Sequence, residues 1–178
     1  ISDMSTDSGE TEILIGRILD KKVLNIYKHH LLVCINPIVL LRMSGHLNRP
    51  HVTLVSEVTV DGKLTVTKGA SSKLLMQFMS YEAEVLLHRI RAESDAIMVG
   101  SNTIRIANSF LTVRHVPGKN PIRVIPSSRA DLSPDANVLS PDAPTIVAIS
   151  RDADPERVRI LREKGAIIET CGEDRIDL

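Results

Sequence analysis

Between Ala96 and Arg114 the chain reads AIMVGSNTIRIANSFLTVR, and this stretch holds the side chains best suited to gripping a ligand. Four apolar residues and Gly100 predict a buried strand running into a tight turn. Ser101, Asn102 and Thr103 follow, three short polar side chains at the strand's carboxyl end. An Asn108-Ser109 turn then leads to the apolar Phe110 and Leu111 and to a lone guanidinium, Arg114. In open α/β sheets ligands sit in the crevice beyond the strand ends. The fork of an arginine matches the oxygens of a phosphate or carboxylate. The same composition also suits a loop carrying a surface arginine, and spacing alone leaves both readings open.

Ser127-Ser128-Arg129 is a second candidate anion site, following the short apolar run 122–125 and Pro126. Hydroxyls and a guanidinium at a strand's carboxyl end would suit the 2′-phosphate of NADP. An ordinary surface loop has the same composition.

Other chemistries lack their motifs. The chain contains no GxGxxG, no GxxxxGK[ST] and no GxSxG. The six histidines show no HExxH or other ligand spacing, so no metal site is expected. Lys+Arg and Asp+Glu number 22 each, so no charge excess points to nucleic acid or an anionic membrane. Aromatic residues are 2% of the chain with no Trp, which leaves few platforms for stacking bases. Cys34 and Cys171 form no CxxC, and reduced thiols in a cytoplasmic protein are expected.

The elements that must position these residues follow from periodicity. The alternation of Val52, Leu54, Val58 and Val60 predicts a first strand over 51–60. Asp61-Gly62-Lys63 turns out of it, and 64–67 is expected as a second short strand. Ser80 is an N-cap for a helix to about Arg91, with Glu82 and Glu84 in its first turn. Val85, Leu86 and Ile90 are its expected buried stripe, with His88 and Arg89 on the solvated face and Arg91 at the end. Further strands are expected at 122–125, 145–149 and 166–169. A helix capped by Asp154-Pro155 and closed by Gly165 lies before the last strand. Strand, capped helix and strand within about 25 residues make a parallel crossover unit, so the class is α/β with a mainly parallel sheet. At 178 residues the chain can bury a real core. Residues 1–42 read as an extension of unknown role, a tag, an upstream segment or an added helix, without assigned chemistry, and 43–178 as the α/β domain. The apolar run 31–41 is broken by Asn36-Pro37 and is short of the ~20 residues a membrane span needs.

Five segments occur in a telling order: Thr59-Val60-Asp61-Gly62-Lys63, His88-Arg89-Ile90-Arg91-Ala92, Ile97 to Thr103, Leu111-Thr112-Val113-Arg114 and Asn120-Pro121-Ile122-Arg123-Val124. Together the series resembles the reductase domain of riboflavin biosynthesis, over roughly 49–178. The resemblance implies a dihydrofolate-reductase-like α/β fold. It also implies NADPH-dependent reduction of a ribosylaminopyrimidine 5′-phosphate to the ribitylamino compound, by hydride transfer to C1′ of the ring-opened sugar. With no deaminase domain, the diamino-pyrimidinone substrate is the expected one, and a homodimer is the expected assembly. By the resemblance, Arg91, Thr103, Ala107, Leu111 and Arg114 line the ribose-phosphate pocket, with Arg114 the phosphate clamp. Asp61 and Lys63 are implied near the reacting centre, and Gly100, Ser101, Ser127, Ser128 and Arg129 along the cofactor. The family's D-[DN]-P-x-L-x-x-R pattern carries Ala107 at its acidic position here, and Met76-Gln77-Phe78 stands where a Trp-containing stretch is common. The chain also ends before the family's glycine-rich E-G-G segment, which supports the cofactor diphosphate. A noncatalytic relative keeping the phosphate pocket is the alternative expectation.

Overall fold

A computed structural model describes residues 52–59, 61–71 and 73–177, together with the backbone of 39–43. The chain divides into two compact units, one of residues 1–66 and 74–78, the other of 67–73 and 79–178. The expected extension 1–42 lies outside the described residues, apart from the start of β1.

In the first unit β1 (Val39–Met43) and β2 (Val52–Ser56) form an antiparallel pair, with Leu41 opposite Leu54. The strand expected over 51–60 stops at Ser56, and residues 57–59 form no strand; positions 51 and 60 lie outside the described residues. Residues 64–67 form bends rather than the expected second strand. Two of them, Leu64 and Val66, leave 61% and 49% of their surface exposed, so no sheet face buries them. A single helical turn, α1 (Lys73–Met76), follows.

The second unit is a four-stranded parallel sheet in the order β3 (Ala96–Met98), β4 (Ile122–Pro126), β5 (Thr145–Ile149) and β6 (Ile167–Thr170). Its helices are α2 (Tyr81–Ala92), α3 (Ser101–Ala107) and α4 (Pro155–Glu163). The apolar run of β5 is buried at four of its five positions, as a strand covered on both faces requires. Ile125, Val147 and Ile149 of the sheet pack with Ile104 of α3 and with Val158 and Leu161 of α4. Burying one such side chain contributes about 1.5–3 kcal/mol.

The expected caps are present. Ser80 accepts the Ala83 N–H at 3.2 Å at the start of α2. Asp154 accepts the Glu156 N–H at 2.9 Å at the start of α4, and Pro155 opens that helix where its missing N–H costs nothing. Gly165, at φ +87°, ends it.

Two expectations are corrected. Ser101, Asn102 and Thr103, expected only as polar residues at the strand's carboxyl end, form the first turn of α3, whose Ile104 and Ala107, three apart, are both buried. In α2 the buried position is His88, at 2% exposure, while Val85, Leu86 and Ile90 are only half-buried. The outer face of α2 instead borders a shallow hollow lined by Tyr81, Val85, Leu86 and Arg89.

Candidate functional site

The parallel register brings the carboxyl ends of β3 and β4 side by side. Gly100 and Ser101 leave β3 there, and Ser127, Ser128 and Arg129 leave β4, so all five expected nucleotide residues share one edge of the sheet. Gly100 is the extended N-cap of α3, and an added Cβ would meet nothing within 4 Å. Ser127 is buried and its hydroxyl accepts the Asp131 N–H at 2.9 Å. The Ser128 hydroxyl accepts the Ile176 N–H at 3.2 Å, and its carbonyl accepts from both the Ser150 N–H and the Ser150 hydroxyl. Each serine thus ties a loop together as an acceptor, and among the described residues neither hydroxyl donates a hydrogen bond. Arg129 is exposed and forms no ion pair among the described residues. Asp131 does carry negative charge to this edge, but Arg105 at 2.6 Å and Arg157 at 3.4 Å flank it. The remaining donor set of hydroxyls and a guanidinium fits the phosphates of a dinucleotide.

Of the expected substrate residues, Leu111 and Arg114 lie in the segment from Phe110 to His115, which belongs to no strand, and Arg91 bonds to it; Ala107 ends α3 just before it, and Thr103 lies on the first turn of α3. Asn108 lets it begin by adopting the left-handed conformation, φ 42° and ψ 52°, as the C-cap of α3. Its side chain accepts the Asn137 N–H and its carbonyl accepts from the Asn137 amide, both at 2.8 Å. Leu111 takes φ +57°, held by its place in the core at 6% exposure. Ala107 is likewise buried, at 5%, and presents no polar atom.

α2 meets this segment along a polar seam. Tyr81, Glu84, His88 and Arg91 fall at spacings of three, four and three, one face of a helix. Tyr81 packs edge-on against the His115 ring, with centroids 5.8 Å apart, and Glu84 lies 3.5 Å from His115 Nε2. His88 Nδ1 accepts the Arg114 backbone N–H at 2.9 Å, and its ring stacks edge-on with His115 at 4.9 Å. Arg91 donates through Nη1 to the Thr112 carbonyl at 2.7 Å, and its Nε is buried with no hydrogen-bond partner. From the other side, Asn120 accepts the Val113 N–H at 2.8 Å.

Two cations are thereby brought near each other without an acid between them. Burial first, and repulsion from Arg114 second, lower the Arg91 guanidinium to about 10, so it remains charged at neutral pH. Neither Arg91 nor Arg114 forms an ion pair among the described residues. Arg114 is exposed and its guanidinium is free for a ligand. Like charges held this close repel, and an anion placed between them relieves the repulsion. Ser101 and Thr103 lie on the first turn of α3, and no hydrogen bond joins them to Arg114 among the described residues.

His88 was expected on the solvated face and is instead the buried centre of the seam. Burial, then Arg91, Arg114 and His115, lower its pKa from 6.5 to about 4. An unfolded chain therefore binds this proton first as pH falls. The stability His88 contributes is intact above pH 6.5 and is lost between 6.5 and about 4. Urea unfolding across that window is expected to show a slope from this residue of at most about 1.4 kcal/mol per pH unit. His88→Asn is expected to remove that component; an unchanged profile would show that another group titrates.

Asp61 and Lys63 belong to the first unit. They form an exposed turn with Gly62 at φ +79°, an ion pair at 2.5 Å, and a Thr59 hydroxyl donating to Asp61. Their hydrogen bond is the main reason the Asp61 carboxyl is lowered and the Lys63 ammonium raised. Among the described residues no cluster of three or more His, Cys, Asp or Glu is placed to hold a metal, and no helix is long and apolar enough to cross a membrane.

Comparison with known proteins adds a family. Residues 50–178 match the RibD C-terminal domain. The chain is 51% identical over 132 residues to the 2,5-diamino-6-ribosylamino-4(3H)-pyrimidinone 5′-phosphate reductase of Aquifex aeolicus, covering 74% of this chain and 59% of that protein. Over 134 residues it is 40% identical to the reductase of the same name from Methanothermobacter thermautotrophicus, covering 73% and 59%. It is also 33% identical over 155 residues to the chloroplastic riboflavin biosynthesis protein PYRR of Zea mays, covering 85% of this chain and 23% of that one. The match thus spans about three fifths of the length of the first two relatives.

Proposed function

Because this chain belongs to the RibD C-terminal domain family, we propose that it reduces 2,5-diamino-6-ribosylaminopyrimidinone 5′-phosphate to its ribitylamino product with NADPH, in riboflavin biosynthesis. The observation that carries this reading is the pair Arg91 and Arg114, two guanidiniums without an acidic partner among the described residues, at one end of a side-chain-held segment. A substrate phosphate dianion suits that pair, with Arg114 closing on it from the exposed side. The hydroxyls and Arg129 at the ends of β3 and β4 support a nucleotide on the neighbouring edge. When bound, NADPH supplies the hydride for C1′ of the ring-opened sugar. The protein's own part is to hold the sugar phosphate by its far end, so that the reacting carbon is placed by a rigid anchor. This division of labour agrees with the absence of a nucleophile motif in the sequence.

One observation favours a second reading, a noncatalytic relative that binds the sugar phosphate. Ala107 fills the acidic position of the family pattern with a buried methyl group, which offers the sugar hydroxyls no acceptor. A single experiment separates the two. NADPH consumption is followed with and without the ribosylaminopyrimidinone phosphate, alongside quenching of NADPH fluorescence. Substrate-dependent oxidation is expected. Substrate binding without oxidation favours the second reading, and failure to bind either ligand removes the first.

A further inference from the structure

The segment from Phe110 to His115 carries the proposed clamp, yet no β-ladder holds it. Leu111 and His115 both sit at φ +57°, a conformation that residues with a Cβ adopt only when their surroundings enforce it. One backbone bond, from the Val116 N–H to the Arg114 carbonyl at 2.5 Å, closes the turn at His115; the rest of the enforcement comes from side chains: Arg91 on the Thr112 carbonyl, Asn120 on the Val113 N–H, and His88 on the Arg114 N–H. Of these side chains, His88 is the one bonded to residue 114 itself. It is 2% exposed, so water does not compete for its lone pair.

We propose that His88 is the positioning residue of the phosphate clamp: its Nδ1 accepts the Arg114 backbone N–H and thereby fixes the direction in which that guanidinium leaves the segment. This rests on the reading of Arg114 as a phosphate ligand. The arrangement requires a neutral imidazole with its proton on Nε2, since Nδ1 must offer its lone pair. The groups around it support that form. Arg91 from α2, and Arg114 and His115 from the segment, all disfavour a second proton; Glu84 is paired with His115 rather than with His88. A polar seam on α2 is therefore more than a packed face, because one of its members orients a functional residue through the backbone.

Three measurements test this. In the wild-type protein, imidazole 15N shifts at neutral pH are expected to show His88 as the Nε2–H tautomer; a proton on Nδ1 overturns the proposal without any variant. Amide exchange at Arg114 is expected to be slow in the wild type and in His88→Asn, whose Oδ1 stands in for Nδ1, and fast in His88→Leu. Finally, His88→Leu is expected to raise KM for the phosphorylated substrate up to about tenfold, the worth of one hydrogen bond, with kcat unchanged. His88→Asn restores KM, and KM for the dephosphorylated substrate does not move. Equal losses on both substrates would mark His88 as a packing residue only and sink the idea. If the wild type turns over no ribosylaminopyrimidine phosphate, the reductase reading fails, while tautomer and exchange still decide the role of His88.

Discussion

Arg114→Ala is expected to raise KM for the phosphorylated substrate by roughly 10- to 100-fold, with little change for the same substrate lacking its phosphate. A hydrogen bond to a charged partner contributes about 1.5–3 kcal/mol, and each 1.4 kcal/mol is a factor of ten. The side chain is exposed and its guanidinium makes no hydrogen bond or ion pair among the described residues, so its removal leaves no described group unpaired. Stability should therefore hold while affinity falls, which separates a ligand residue from a structural one. Arg114→Lys keeps the charge but loses the planar fork, and an intermediate KM is expected. Initial-rate kinetics on the two substrates would settle the matter. An Arg114→Ala enzyme that weakens both substrates alike would mean that the phosphate is held elsewhere.

The second large effect is on stability. Arg123→Met is expected to destabilise the parallel-sheet unit by about 3–5 kcal/mol, because several buried acceptors, at about 1–3 kcal/mol each, lose their donor. Arg123 is wholly buried beneath the start of β4. Its guanidinium donates to the Ser140 carbonyl at 2.5 Å, the Ser140 hydroxyl at 3.1 Å, the Ala143 carbonyl and, more weakly, the Phe110 carbonyl at 3.4 Å. Methionine fills the volume and leaves those carbonyls unsatisfied, each a desolvated acceptor. Burial also lowers the guanidinium pKa, with Asp142 acting in the opposite direction, so the charge is retained by its acceptors rather than by a close ion pair. Urea denaturation should show a lower midpoint with an unchanged slope. A midpoint within experimental scatter of the wild type would show that the connection from β4 to β5 is held by its other contacts.

These two arginines also show how far local pattern reaches. Arg114 was legible because it follows an apolar anchor at a spacing that the family resemblance reinforces. Arg123 drew attention only as part of the Asn120-Pro121-Ile122-Arg123-Val124 motif, since nothing near it in sequence reveals that carbonyls 17 and 20 residues later close around it. The seam of Tyr81, Glu84, His88 and Arg91 was present in the sequence at helical spacing, but a stripe of apolar residues is the ordinary sign of a buried face and Val85, Leu86 and Ile90 supplied one. The polar face is the one that meets the segment from Phe110 to His115, because that segment has backbone groups and no ladder to satisfy them. The turn of α3 was hidden for a related reason. Three small polar residues favour loops and caps by competing for backbone hydrogen bonds, and burial of Ile104 against the sheet and of Ala107 at the helix end is what holds them helical.

By itself the sequence determined the α/β class, the parallel strands, the caps Ser80 and Asp154, and the order of motifs that marks the family. All of these depend on residues close together in the chain: apolar period, cap chemistry and turn residues are local properties. Only the tertiary structure decided that His88 is buried and neutral, that Arg91 reaches Thr112, and that Ser101 and Ser127 share one edge of a sheet. Those outcomes turn on which distant backbone groups lack partners once the strands have paired, and that is fixed when the chain closes on itself.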